Sequence, residues 1–105
     1  RLRRIRTNLH RDPAGARRVA EMAEECSLSR SRFSVLYKEF FGVGPKQEII
    51  DLRLRRARWL LSNSTLSISQ VAYECGFEDP AYFNRLFRKR VGCTPGNYAK
   101  EGDAR

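Results

Sequence analysis

Two stretches of this chain carry side chains suited to meeting the edges of base pairs. In one, Arg30, Ser31, Arg32, Ser34, Val35 and Lys38 interleave with Phe33, Leu36 and Tyr37. In the other, Ala81, Tyr82, Asn84, Arg85, Arg88 and Lys89 interleave with Phe83, Leu86 and Phe87. On a helix the aromatic and leucine positions form an inward stripe, so the remaining side chains turn outward. A guanidinium at Arg85 suits guanine O6 and N7, and an amide at Asn84 suits adenine. The hydroxyls of Ser31 and Ser34 donate or accept, and Val35 or Ala81 can touch a thymine methyl. These six are the expected base-reading residues. Arg30, Arg32, Lys38, Tyr82, Arg88 and Lys89 are the expected contacts to a phosphate backbone. The competing reading makes Arg32 and Arg88 solvated surface charge and Tyr82 an edge-packing residue.

The elements that must position these residues occur twice. Val19, Met22, Ala23, Cys26, Leu28, Phe33, Leu36, Tyr37, Phe41, Gly42 and Pro45 are matched by Ile68, Val71, Ala72, Cys75, Phe77, Phe83, Leu86, Phe87, Val91, Gly92 and Pro95. The offset is 49 before the turn and 50 after it, so the second turn holds one more residue. Such a period means two similar small helical units. In each, a first helix braces and a second presents its outward face to a major groove.

Along the chain, Leu2, Ile5 and Leu9 recur at helical spacing until Asp12-Pro13-Ala14-Gly15 stops them. A bracing helix is expected over about 17–25 and a reading helix over 30–41 capped by Ser29, burying Phe33, Leu36, Tyr37 and either Phe40 or Phe41. Residues 46–61 form the longest helical stretch, with Ile50, Leu54, Ala57 and Leu61 on one stripe and Arg53, Arg55, Arg56 and Arg58 on its flanks. At 1.5 Å per residue it would span about 24 Å. Ser67 with Gln70 has capping-box spacing, and Asp79-Pro80 is a helix start. Residues 95–100 add one turn carrying Tyr98. The expected fold is all-α: a seven-helix bundle of two helix-turn-helix subdomains, 1–45 and 62–105, joined by a linker helix at 46–61.

Charge narrows the partner. The formal net charge is +9, with arginine outnumbering lysine 17 to 4, and arginine suits bidentate contact with phosphate or guanine. The three cysteines form no C-x-x-C pair, and the single histidine, His10, has only Asp12 near it in sequence, so neither a metal site nor a cofactor is expected. No glycine loop suits a nucleotide phosphate and no cysteine has an activating base, which argues against an enzyme. Apolar runs are far short of a membrane span, and no leader pattern is visible, so residence in the cytoplasm is expected. Arg1-Leu2-Arg3-Arg4 reads as an interior starting point.

From about Ala16 to Lys100 the chain resembles the DNA-binding domain of the AraC/XylS transcription regulators. The second unit carries the resemblance best, through Ile68-Ser-Gln-Val71-Ala72, Cys75-Gly76-Phe77, Tyr82-Phe83, Phe87 and Gly92-Cys-Thr-Pro95 to Tyr98. Arg53, Ala57, Leu60 and Leu61 stand at the family's spacing in the linker helix. The resemblance implies seven helices, two reading helices in successive major grooves, and base contacts from Ser31, Ser34, Val35, Ala81 and Arg85 beside Pro80. Four positions depart from the family pattern. Ser27 stands where the first turn usually has glycine, which predicts a less strained or differently phased turn. Arg18 replaces a capping hydroxyl, and Gly44 replaces a serine or threonine. Glu48 stands where the second unit has Tyr98, removing an aromatic anchor.

The function expected on these grounds is sequence-specific binding of double-stranded DNA for transcriptional regulation, in the sense of activation through contact with RNA polymerase. An effector or dimerisation domain is expected to precede the chain in the full-length protein. The alternatives are a non-specific nucleic-acid-binding module or a helical protein-interaction domain. The cue for the latter is the acidic face Glu21, Glu24 and Glu25 on the bracing helix.

Overall fold

The computed structural model describes residues 1–103. Their order is α1 Leu2–Arg11, α2 Val19–Glu25, α3 Arg30–Phe41, α4 Pro45–Asn63, α5 Ile68–Glu74, α6 Pro80–Val91 and α7 Pro95–Asp103, with no strand among the described residues. The last two positions of the expected 62–105 subdomain lie outside this range. The chain divides into two compact units, Arg1–Leu52 and the residues from Arg53 onward, with the division falling inside α4. No helix among the described residues is long and apolar enough to cross a membrane.

Each unit is organised around aromatic rings. In the first, Phe33 and Tyr37 are fully buried among Ile5, Leu9, Val19, Met22, Ala23 and Ile49. Phe41 packs edge-on against Tyr37 at 4.7 Å, whereas Phe40 is 71% exposed, which decides between the two residues that periodicity left open. In the second unit Phe77, Phe83, Phe87 and Tyr98 form a continuous series with ring centroids 5.2, 5.7 and 5.6 Å apart. Val71, Ala72 and Cys75 pack beside them. Burial pushes the Cys75 thiol up to about 11, which keeps it protonated and inert near neutrality. Cys26, its counterpart, is only half-buried.

The helix ends follow local chemistry. α4 begins and ends beyond the expected 46–61 because Pro45 fits a first turn and Asn63 Nδ2 donates back to the Trp59 carbonyl at 2.9 Å. α7 continues past Lys100 to Asp103, since nothing between Tyr98 and Glu101 breaks a helix. α2 starts at Val19, two residues later than periodicity suggests, and its N-cap Arg18 makes no side-chain cap.

The first turn is not relaxed by its serine. Ser27 adopts φ 56° and Gly76 φ 95°, both left-handed, and the two turns close with equivalent hydrogen bonds. Ser27 N donates to the Glu24 carbonyl and Leu28 N to the Ala23 carbonyl, as Gly76 N does to Tyr73 and Phe77 N to Ala72. This is the paired closure in which glycine is ordinarily favoured, because a Cβ crowds the backbone there. The first unit therefore holds a side chain in a costly conformation.

The first unit also lacks caps that the second has. Ser67 and Gln70 form a complete capping box on α5, and Thr94 Oγ1 accepts from Asn97 N at 3.2 Å on α7. The equivalent positions are Arg18, without a side-chain cap, and Gly44, without a side chain. Arg18→Ser is expected to stabilise the first unit by about 0.5–2 kcal/mol, and Ser27→Gly by about 0.5–1 kcal/mol. Slower amide exchange in α2 with unchanged exchange in α5 would check both.

Candidate nucleic-acid interface

α3 and α6 begin with well-formed caps. Ser29 Oγ accepts from Arg32 N at 3.1 Å, and Asp79 Oδ1 accepts from Ala81 N at 3.0 Å with Pro80 at the first helical position. Burial of Phe33 and Tyr37 on α3, and of Phe83 and Phe87 on α6, then sets the rotation of each helix. The exposed stripe of α3 carries Ser31, Val35 and Lys38, and that of α6 carries Ala81, Arg85 and Arg88, both at i, i+4 and i+7. The offset of 50 pairs Ser31 with Ala81, Val35 with Arg85 and Lys38 with Arg88.

The flanking positions differ between the helices. Asn84 is exposed beside Arg85, while its counterpart Ser34 is half-buried. Arg30 and Arg32 are exposed on the first turn of α3. Tyr82 is half-buried, with the Arg85 guanidinium over its ring at 5.8 Å from the centroid. Lys89 is exposed one position beyond Arg88. α6 carries Arg85, Arg88, Lys89 and Arg90 and no carboxylate, whereas α3 offsets Arg30, Arg32 and Lys38 with Glu39. The amino ends of both helices add the positive end of the peptide dipole. Beyond the cation that both stripes carry at Lys38 and Arg88, the helices are chemically unlike: α6 presents Arg85 and Asn84, α3 the hydroxyls of Ser31 and Ser34 and the apolar Val35.

Sequence reasoning missed the polar cluster that holds α3 in place. Glu48 is 6% exposed and the one buried charged residue among those described. Tyr37 Oη donates to its Oε1, Arg6 donates from Nε at 3.2 Å and from Nη2 at 2.9 Å, and His10 Nε2 lies 3.3 Å away. His10 therefore does have a carboxylate partner, 38 positions on. Glu48 does not simply delete an anchor; it replaces the ring contact between Phe87 and Tyr98 with a hydrogen-bonded one between Tyr37 and itself. The signal in the sequence was the paired change, since the hydroxyl of Tyr37 appears where the second unit has Phe87.

The electrostatics agree with that geometry. Burial alone would raise the Glu48 pKa, but the hydrogen bonds from Arg6, Tyr37 and His10 outweigh it and hold the carboxyl below its ordinary value of 4.5. Burial, and then the bond to Glu48, push the Tyr37 phenol up, so it remains a donor. Arg6 also lies over the Phe41 ring at 4.7 Å. The contacts of Arg53, a flanking residue of the α4 stripe, were also not foreseen; it is half-buried. Its Nη1 donates to the Gly76 carbonyl at 3.1 Å, and its guanidinium lies 5.7 Å from the Phe77 centroid.

A model for a helix-turn-helix domain matches residues 22–101. The chain is 35% identical over 78 residues to the HTH-type transcriptional regulator ExsA of Pseudomonas aeruginosa, covering 74% of this chain and 28% of that protein. It spans about a third of the length of the curated relatives it matches. Among solved structures it is similar to the DNA-binding domain of AdpA, a global transcriptional factor crystallised in complex with a target DNA. There the TM-score is 0.89 and the identity 27%, covering 98% of this chain and 93% of that one. A transcriptional regulator of the AraC type from Chromobacterium violaceum gives a TM-score of 0.78 at 26% identity, covering 96% and 90%.

A folded-state pKa below the unfolded one means that Glu48 contributes stability in full above pH 4.5, and that this is lost as pH falls through the lower, folded value. Glu48→Gln is expected to lower stability at neutral pH by about 1–3 kcal/mol and to flatten its decline in acid. Denaturant titrations across pH 3–7 would check the sign.

Proposed function

Because the chain belongs to the AraC/XylS family of helix-turn-helix transcription regulators, we propose that it binds double-stranded DNA sequence-specifically, with α3 and α6 entering successive major grooves. The observation that carries this reading is the pair of equivalent stripes, Ser31–Val35–Lys38 and Ala81–Arg85–Arg88, left outward by the buried rings of their own helices. Arg85 takes guanine O6 and N7, Asn84 takes adenine, and Ala81 or Val35 meets a thymine methyl. Ser31 and Ser34 add hydroxyl contacts. Arg30, Arg32, Lys38, Arg88, Lys89 and the hydroxyl of Tyr82 hold the phosphate backbone.

In this reading α6 supplies most of the discrimination. A guanidinium and an amide make directional hydrogen bonds to base edges, whereas a valine offers only a methyl contact. The net charge of +9 supplies the salt-dependent share of affinity. The full-length protein acts in the bacterial cytoplasm, where an amino-terminal effector or dimerisation domain controls this one and RNA polymerase is its partner in activation.

Selection of bound duplexes from a random pool is expected to return two short boxes about one helical turn apart. Equal affinity for all duplexes at moderate salt would overturn the specificity. Arg85→Ala is expected to cost about 1–3 kcal/mol and to relax discrimination at a single base pair. Lys38→Ala or Arg88→Ala should instead weaken every duplex alike and reduce the slope of log affinity against log salt by about 1.

A further inference from the structure

We propose that Tyr82 is a positioning residue whose ring, backed by Phe77 and Arg53, aims the Arg85 guanidinium, so that discrimination at one base pair depends on an aromatic face that need not touch the base. The inference deepens the DNA-binding reading above and rests on it.

The groups form a ladder within the second unit. The Arg85 guanidinium lies 5.8 Å from the Tyr82 centroid, within the range in which a ring face attracts a cation. Spacing of i and i+3 places the two on one helix face. Tyr82 meets Phe77 edge-on, with centroids 6.4 Å apart and planes at 63°. Phe77 is 4% exposed and packs on Phe83 at 5.2 Å. Arg53 lies over Phe77 and holds the adjoining Gly76 carbonyl, so the turn and the ring that support Tyr82 are fixed together. Tyr82 is thus connected to the core rather than free to follow its neighbour.

Arginine needs such a platform more than most readers do. Its side chain carries much rotamer freedom, and whatever is ordered before binding is not lost on binding. The first unit supplies the internal comparison. The counterpart of Arg85 there is Val35, whose branched side chain has one stiff torsion and requires no aiming. The counterparts of Tyr82 and Phe77 are Arg32 and Leu28, neither of them a ring. The aromatic ladder is present in the unit that carries the flexible reader and missing from the unit that does not.

The test uses the 105-residue chain and the duplex it selects from a random pool, with single-base-pair variants of that duplex. Arg85→Ala first identifies the base pair whose discrimination collapses. Tyr82→Leu, which keeps bulk but removes the ring, is expected to reduce the affinity ratio at that base pair by roughly 2- to 5-fold. Tyr82→Phe should retain the ratio, and Tyr82→Leu should add no further loss of discrimination in the Arg85→Ala background, even where loss of the hydroxyl weakens all duplexes. Melting curves of the three variants confirm that they are folded. A Tyr82→Leu variant that weakens all duplexes equally, or a Tyr82→Phe variant that loses as much discrimination as Tyr82→Leu, would overturn the positioning role. If Arg85→Ala leaves every ratio unchanged, the base-reading assignment itself fails, and the positioning role with it.

Discussion

Burying Phe33 with Tyr37, and Phe83 with Phe87, sets the rotation of α3 and α6 about their own axes. Each buried ring stabilises by about 1.5–3 kcal/mol relative to exposure. Turning either helix by one position, about 100°, would forfeit roughly 3–6 kcal/mol. That is a large share of the roughly 5–15 kcal/mol that holds a small domain together. Rotation is therefore not adjustable by surface forces such as a phosphate contact or an exposed ion pair. The identity of the outward stripe follows from it: once the rings are inside, Val35 and Arg85 must be outside.

The two units satisfy that constraint by different chemistry. In the second, Phe87 is covered by Tyr98 and the support is ring upon ring. In the first, Tyr37 and Glu48 stand at those positions, and Arg6 and His10 from α1 complete the bond to the carboxylate. A buried carboxylate adds little net stability over an apolar replacement, because its desolvation opposes its hydrogen bonds. It does tie α1, α3 and α4 of the first unit to a single atom group. Removing one donor leaves charge without its partner, whereas trimming a ring leaves a cavity. The first unit consequently carries a dependence on acid through Glu48. Its uncapped α2 and its left-handed Ser27 add to that difference.

Most of the architecture was legible because helices announce themselves locally. Ser29, Ser67 and Asp79-Pro80 mark starts, Gly42 and Gly92 mark ends, and the aromatic spacing gives the buried face; all of these lie within a few residues of what they determine. The outward position of ten of the twelve expected contact residues followed from phase alone, while Ser34 and Tyr82 are half-buried. What periodicity could not supply were contacts between distant positions. Arg6 and Glu48 are 42 residues apart, and Arg53 and Gly76 are 23. Long side chains reach such partners through tertiary packing, and a period of 3.6 carries no information about them. Ser27 was misjudged for a related reason: residue type suggested an easier turn, but the hydrogen bonds that close the turn demand the left-handed angle from whichever residue stands there.

The extra residue in the second turn has a physical location that explains why it is tolerated. Both turns close with the same pair of hydrogen bonds, the second of them at Leu28 and at Phe77. The first chain segment then supplies its N-cap at once, as Ser29, while the second inserts Glu78 before Asp79. The insertion thus falls after one hydrogen-bonded motif and before the next, where it breaks neither. It also accompanies the larger side chain at that point. Phe77 meets Tyr82 edge-on and packs against Phe83, whereas Leu28 packs on the core of its own unit. One added residue of loop costs little entropy. The change of offset from 49 to 50, visible in the bare sequence, is the covalent trace of that one residue, Glu78.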